Sequence, residues 1–283
     1  MSPIRCCLSD AELGSLLRED APYGDLTVAT LGIGDRVGRI TFHVRDEMVV
    51  CGVEEAARML QLVGAEVTLQ AATGQQAETE TPLLTATGHV DALFTAWKVA
   101  QSLVESLSGV STAARQIVSR AGNARVACTR KHLPGIKTLM VKAVKAGGAL
   151  MHRLGLSESI MVTAEHRAFL QSARAESAVT ALQRMQPEKK IVIETDDVES
   201  ALALVKQGCQ VIQLEKLSPA QVSQVVAAAV ARPQGLRPVI AAAGGINLQN
   251  AAEYAQTGVD VLVTSAPYFA RPRDVQVRFS PLD

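Results

Sequence analysis

From about residue 124 onward, short runs of Val, Ile and Ala alternate with longer stretches whose apolar positions recur every three or four residues. Runs of the first kind predict buried strands, and stretches of the second predict helices with one apolar face. Strands are expected at Ala124–Cys128, Ser159–Thr163, Lys190–Glu194, Gln210–Leu214, Pro238–Ala243 and Val259–Val263. The intervening helices are expected at Gly135–Ala146, Glu165–Met185, Asp197–Gln207, Ser218–Ala231 and Asn247–Gln256. A steady βα rhythm of this kind builds a parallel sheet. Its even spacing favours an open barrel, an incomplete TIM-like one, over a doubly wound sheet.

The first part of the chain lacks that rhythm. Ser9 is placed to cap a helix running to Asp20, with Glu12 at the capping-box spacing. Alternating segments follow at Gly38–Arg45 and Glu47–Cys51, then a helix at Val53–Val63 and strands near Glu66–Ala71 and Pro82–Gly88. A helix from Asp91 to Ser108 leads onward. These elements predict a separate α+β domain over residues 1–108, followed by the barrel over 109–270. The tail, 271–283, alternates at Val275–Phe279 like an edge strand and is expected to return to the first domain.

Composition narrows the picture. Hydrophobic residues make up 48% of the 283, enough for a large core, while aromatics are 3% with Trp97 the single tryptophan. Lys+Arg and Asp+Glu both number 28, a balance that argues against a nucleic-acid surface. Apolar runs such as Val225–Ala231 fall far short of the roughly 20 residues of a membrane span. Five cysteines without metal-ligand spacing read as free thiols, and the Met1–Asp10 segment does not resemble a targeting peptide. A cytoplasmic protein is the expectation.

Charge is nevertheless concentrated. Arg130, Lys131, Lys137, Lys142, Lys145, His152 and Arg153 crowd one stretch of a chain with zero formal net charge. Such local density points to a specific anionic ligand. In parallel barrels the functional residues stand where strands pass into loops. There the sequence puts Thr129-Arg130-Lys131, Glu194, Glu215, Ala243-Gly244-Gly245 and Thr264-Ser265. Arg130 and Arg153 offer planar forks for carboxylate or phosphate oxygens. Two glycines before a helix allow close approach of an anion, although a plain tight turn capped by Asn247 fits the same residues. Glu194 and Glu215 are suited to Mg²⁺, to ribose hydroxyls or to a carbon developing positive charge. Cys128 reads as a small buried residue rather than a nucleophile.

Several motifs then occur together: Glu19-Asp20 with Gly24-Asp25 and Thr27, Ser108-Gly109-Val110-Ser111-Thr112, Thr129-Arg130-Lys131 with Pro134-Gly135, Gly147-Gly148, His152-Arg153 with Gly155-Leu156, and Gly244-Gly245. In this combination the chain resembles, over nearly its whole length, the nicotinate-nucleotide pyrophosphorylase (quinolinate phosphoribosyltransferase) superfamily of type II phosphoribosyltransferases. Trp97-Lys98 and Val263-Thr264-Ser265-Ala266-Pro267-Tyr268 tilt the resemblance toward the branch named for molybdenum transport. The resemblance implies an N-terminal α/β sandwich and a C-terminal open α/β barrel. It also implies a homodimer, or a higher homo-oligomer, in which the neighbouring N-terminal domain completes each site. Phosphoribosyl pyrophosphate (PRPP) with Mg²⁺ is the implied donor. Arg130, His152 and Arg153 would hold an acidic acceptor beside Lys131. Glu194 and Glu215 would serve ribose and metal, and Ala243, Gly244, Gly245, Thr264 and Ser265 the phosphate.

The departures bear on the acceptor. The quinolinate enzymes carry arginine where this chain has Lys98, and lysine where it has Thr163. Their glycine turn usually begins with serine, here Ala243; a later phosphate-loop glycine is Ser265, and the acid at Glu215 is usually aspartate. Losing a charge-assisted contact costs about 1.5–3 kcal/mol, so two such changes lower quinolinate affinity by about 10²–10⁴-fold. The resemblance therefore implies transfer of phosphoribosyl to an acidic acceptor other than quinolinate. An authentic quinolinate enzyme of NAD synthesis stays open as an alternative. So does a non-catalytic protein binding molybdate or a pterin-like ligand.

Overall fold

The computed structural model describes residues 6–170, 180–233 and 237–282. They form two compact units. The first holds residues up to 115, 132–148 and from 267 onward, and the second holds 116–131 and 149–266.

The first unit opens with α1 (Asp10–Asp20), whose Ser9–Glu12 capping box forms as the spacing predicts. Helix α2 (Leu26–Leu31) follows, a short element without a clear apolar stripe that the sequence pattern does not reveal. Strands β1 (Val37–Val44), β3 (Glu66–Leu69), β5 (Pro82–His89) and β13 (Val275–Pro281) make an antiparallel sheet in the order β13-β1-β5-β3. Along β1 the buried residues Gly38, Ile40, Phe42 and Val44 alternate with more exposed ones, which is why one face carries the core. Helix α3 (Val53–Leu62) covers that face, with Ala56, Met59 and Leu60 fully buried. Strands β2 (Met48–Val49) and β4 (Gln76–Ala77) pair separately.

Helix α4 (Val90–Arg120) is longer than the sequence pattern predicts, because it does not stop at Ser108-Gly109. The small polar residues serve the helix's neighbour instead. The Ser111 hydroxyl donates to the Val49 carbonyl at 2.6 Å, while Thr112 Oγ1 and Ser108 Oγ accept from Val49 and Cys51 N–H at 2.9 and 3.0 Å. Gly109 is required at this point, since a Cβ there would run into the Arg271 carbonyl. Helix α5 (Lys137–Ala146) brings Lys142 into the interior. Its Nζ donates to Glu54 at 2.8 Å and to Glu55 at 2.5 Å, both in the first turn of α3.

The second unit is an open parallel sheet. In chain order its strands are β6 (Arg125–Cys128), β7 (Leu150–Met151), β8 (Ile160–Val162), β9 (Ile191–Thr195), β10 (Val211–Glu215), β11 (Val239–Ala243) and β12 (Val261–Thr264). They lie in the order β7-β6-β12-β11-β10-β9-β8, every pair parallel, with β7 and β8 as edges. Helices α6 (Ala164–Ala168), α7 (Val198–Gln207), α8 (Pro219–Val230) and α9 (Ala251–Gln256) connect or follow them. Asp197 and Ser218 cap α7 and α8. The fold is thus α/β, an antiparallel-sheet unit plus a seven-stranded parallel half-barrel.

Three local expectations change. The helix expected over Glu165–Met185 appears as α6 and a helical stretch at 180–185, while 171–179 lie outside the described residues. The helix expected at Asn247 begins at Ala251, because Asn247 Oδ1 accepts the N–H groups of Gln249 and Asn250 and forms a turn that competes with helix. Strand β7 was not expected at all; two residues are too few to show a period.

Candidate functional site

The C-terminal ends of the parallel strands surround a cleft of about 820 Å³, lined entirely by residues of the second unit. Period-two alternation decides what faces it. On β10, Ile212 and Leu214 are fully buried, while Gln213 and Glu215 share the other face and line the cleft. Register places Gln213 level with Glu194 on one side and Ala241 on the other, and Glu215 level with Ala243. Glu194 therefore lies within β9, with Thr195 as the last strand residue, where the sequence pattern makes Glu194 itself the end of the strand. Two residues of rise and one strand spacing put the Cα atoms of Glu194 and Glu215 about 8 Å apart, with Glu194 the deeper.

Glu194 is held above its ordinary carboxylate pKa. Burial is the main cause and the Glu215 charge adds to it, while a hydrogen bond from Gln213 Nε2 at 2.6 Å opposes both. The carbonyl oxygen of Gln213 is buried and has no hydrogen-bond partner among the described residues. Leaving such a group unpaired costs about 1–3 kcal/mol.

The opposite wall is cationic. Thr129, Arg130 and Lys131 follow β6, and His152 and Arg153 follow β7; all five line the cleft. The His152 N–H donates to the Cys128 carbonyl at 2.9 Å, which extends the β6–β7 pairing into the site. Burial lowers the pKa of His152, helped by the Arg153 charge, so the imidazole is neutral near pH 7. Burial and the like charge of Arg130 pull Arg153 below the usual guanidinium value, with Glu194 opposing them. An anion bound between the two arginines relieves that repulsion. Burial pushes the Cys128 thiol up to about 12, so it is no nucleophile at neutral pH.

Between these walls lies the glycine turn. Gly244 and Gly245 have φ of 86° and 90°, left-handed values that few other residues adopt, and Lys216 shares that region at 58°. The Lys216 N–H donates to the Ala243 carbonyl at 2.8 Å and locks the β10 and β11 loops together. Amides of Asn247 and Asn250 both donate to the Gly245 carbonyl at 3.1 Å. The buried Thr264 hydroxyl donates to the Ile246 carbonyl at 2.6 Å and accepts from Ala266 N–H at 3.0 Å, so it braces the turn; Ser265 lines the cleft. Helix α9 is short and begins only at Ala251, beyond the two asparagines, so the turn itself is shaped by the glycine backbone.

Of the residues singled out from sequence, the cleft collects Arg130, Lys131, His152, Arg153, Thr163, Glu194, Glu215, Ala243, Gly244, Gly245, Thr264 and Ser265. Lys98 belongs to the first unit, where its Nζ donates to Gln101 at 2.9 Å and sits 4.3 Å from the centre of the Trp97 ring. Thr163 caps α6, with its hydroxyl 2.9 Å from His166 Nδ1. Sequence reasoning missed Gln213 and Arg167. The signal for Gln213 was a lone polar residue two before Glu215 in an apolar strand. Arg167, one turn into α6, lines the cleft and its charge favours ionised Glu194.

The model of the quinolinate phosphoribosyl transferase C-terminal domain matches residues 110–278, and that of the N-terminal domain matches 25–108. A Rhodobacter capsulatus protein named "Putative pyrophosphorylase ModD" is 45% identical over 259 residues, covering 89% of this chain and 97% of that protein. One of the same name from Escherichia coli O157:H7 is 38% identical, covering 97% and 98%. The nicotinate-nucleotide pyrophosphorylase [carboxylating] of Mycobacterium leprae is 32% identical, covering 88% and 89%. The structure of NadC from Streptococcus pyogenes superposes with a TM-score of 0.87 at 22% identity, covering 97% of each chain, and shares the fold. With both domain models matched and the ModD proteins similar over most of its length, the chain belongs to the quinolinate phosphoribosyl transferase family, in its ModD branch.

Proposed function

We propose that the protein is a phosphoribosyltransferase that moves the phosphoribosyl group of PRPP to an acidic acceptor other than quinolinate. The observation that carries this reading is one cleft with a cationic wall at Arg130, Lys131, His152 and Arg153, carboxylates at Glu194 and Glu215 opposite, and a left-handed glycine turn between them. The arginine forks take the acceptor's acid group and orient its nucleophilic atom. Neutral His152 adds a hydrogen bond without further charge. The Gly244-Gly245 backbone admits the 5′-phosphate. As the bond from C1′ to pyrophosphate breaks, positive charge develops on the sugar, and the two carboxylates stabilise it.

Glu194 and Glu215 are hard oxygen donors, and among the described residues no third carboxylate or imidazole joins them to close a metal cage. That donor set fits Mg²⁺, which binds through one or two carboxylates while taking its remaining oxygens from substrate phosphates and water. When bound, Mg²⁺ neutralises charge on the departing pyrophosphate.

Three further points belong to this proposal. The functional parts are 1–108, 109–270 and the returning strand 271–283. The protein acts in the cytoplasm as a homodimer, in which Lys98 reaches the partner's site. Its place in molybdenum handling follows the branch. Saturating PRPP with Mg²⁺ is expected to raise the melting temperature, because a ligand at 100 times its Kd adds about 2.7 kcal/mol of stability. Absence of any shift would overturn the reading. The 32% identity to the Mycobacterium leprae enzyme favours a second reading, quinolinate itself as acceptor. Formation of nicotinate mononucleotide and CO₂ from quinolinate and PRPP would establish it.

A further inference from the structure

Strand β10 puts a polar side chain where its neighbours are apolar. Gln213 is 4% exposed, lines the cleft, and lies level with Ala241 and Glu194 on the strands to either side. Its amide has one workable sense. Nε2 donates to Glu194 Oε2 at 2.6 Å, and the reverse orientation would set two oxygens against each other beside a carboxylate. The carbonyl oxygen is thereby presented as an acceptor, with no partner among the described residues. Ala241 and Ala243 on the adjoining strand bring no polar side chain to it.

The chemistry of the missing partner follows. It must donate a hydrogen bond, and it must not be anionic, since a carboxylate or phosphate would be repelled by Glu194; a sugar hydroxyl meets both conditions. Its position follows from the register. Gly244 comes three residues after Ala241, so its Cα lies about 11 Å from that of Gln213 by strand rise and spacing. A glutamine side chain and a pentose phosphate together span that gap.

We propose that Gln213 is a specificity-determining residue: its carbonyl oxygen, oriented by Glu194, accepts a hydrogen bond from a ring hydroxyl of a pentose 5-phosphate whose phosphate rests at Gly244-Gly245. This assignment rests on the reading of that turn as the phosphate site. It makes the cleft discriminate between hydroxylated and deoxygenated sugars, and it gives the buried amide a function that stability alone does not require.

The test is calorimetric titration of the wild-type protein and Gln213→Met with ribose 5-phosphate and 2,3-dideoxyribose 5-phosphate. Wild type is expected to prefer ribose 5-phosphate. Methionine keeps the length but removes donor and acceptor, so it should weaken ribose 5-phosphate about 5- to 10-fold while changing the dideoxy sugar less than about 2-fold. Equal penalties on both sugars, or none, would overturn the assignment and leave the phosphate reading intact. Failure of wild type to bind ribose 5-phosphate at all would remove the phosphate reading as well. Should the variant not fold, the wild-type comparison still decides against the assignment if both sugars bind equally.

Discussion

Gly244 and Lys216 meet so closely that a Cβ on the glycine would lie 2.5 Å from Lys216 Cγ and 2.7 Å from its backbone nitrogen. That nitrogen donates to the Ala243 carbonyl, so it cannot retreat without opening the link between two loops of the cleft. Gly245, one residue on, has the same left-handed backbone and open space around it.

The pair gives a graded prediction. Gly245→Ala meets only backbone strain, about 1 kcal/mol, and should fold and retain weakened phosphate binding. Gly244→Ala meets strain plus a clash with fixed backbone, and should lose about 2–4 kcal/mol together with PRPP binding. Thermal melts with and without PRPP and Mg²⁺ check both. Equal behaviour of the two variants would contradict the geometry.

Glu194 sets stability against function. Its raised pKa comes first from burial and then from Glu215. A carboxyl whose folded value exceeds its unfolded one is relatively stabilising below the unfolded pKa, and that advantage is lost as pH rises through the folded value. Glu194→Gln should therefore melt higher than wild type at pH 7, with the difference shrinking as pH falls through the raised folded value and gone below about pH 4.5, where the glutamate is neutral folded or unfolded. Turnover should fall at the same time. A variant that melts lower than wild type at pH 7 would show that Glu194 is not strained by burial.

These relationships were legible in the sequence to different depths. The β-branched runs at Ile191–Ile193 and Val211–Leu214 fixed their strands because buried parallel strands leave no other use for such runs. Register was harder. Whether Glu194 ends its strand or lies inside it depends on how the neighbouring strand slides, and no single segment encodes that. Ser108-Gly109 looks like a helix stop because small polar residues usually are, yet here the hydroxyls satisfy β2 and the glycine clears the Arg271 carbonyl. Arg130 and Arg153 were recognisable as a pair, while Arg167 was not, since its approach to Glu194 depends on where the short helix α6 lies against the cleft, which its own segment does not encode.

The buried charges of the first unit predict a large effect of one substitution. Burial alone would lower the Lys142 pKa and raise that of Glu54. Hydrogen bonds between them, with Thr73 adding to Glu54, reverse both directions. Lys142→Met removes the cation and leaves Glu54 and Glu55 facing each other in the interior, which should cost about 3–5 kcal/mol. Glu54, held below its ordinary value, contributes stability above the unfolded carboxylate pKa that is lost as pH falls through its folded value. The variant should consequently lose most at neutral pH and less in acid. Adding Glu55→Gln should recover part of the loss. Urea titrations at pH 7 and pH 4 measure both, and an unchanged midpoint at pH 7 would refute the role given to the triad.

Thr163 places no charge on the cleft wall, its hydroxyl is engaged with His166, and Lys98 offers a point charge with no bidentate fork. Arg167 brings positive charge to the same wall, but from a different helix position and next to Glu194. An acidic group held there must therefore sit elsewhere than a lysine at residue 163 would place it. Thr163→Lys together with Lys98→Arg should tighten quinolinate binding by about 10²-fold or more, if each restored contact is worth about 1.5–3 kcal/mol. The gain should shrink in high salt, as expected for charge-assisted contacts at a partly open site. The contribution of the Arg130–Arg153 wall to quinolinate binding can be followed by the same titration in Arg153→Lys, which keeps the charge and loses the fork. If the double variant binds quinolinate no better than wild type, the identity of the acceptor is set by Arg167 and the depth of Glu194 instead of by the two substituted positions.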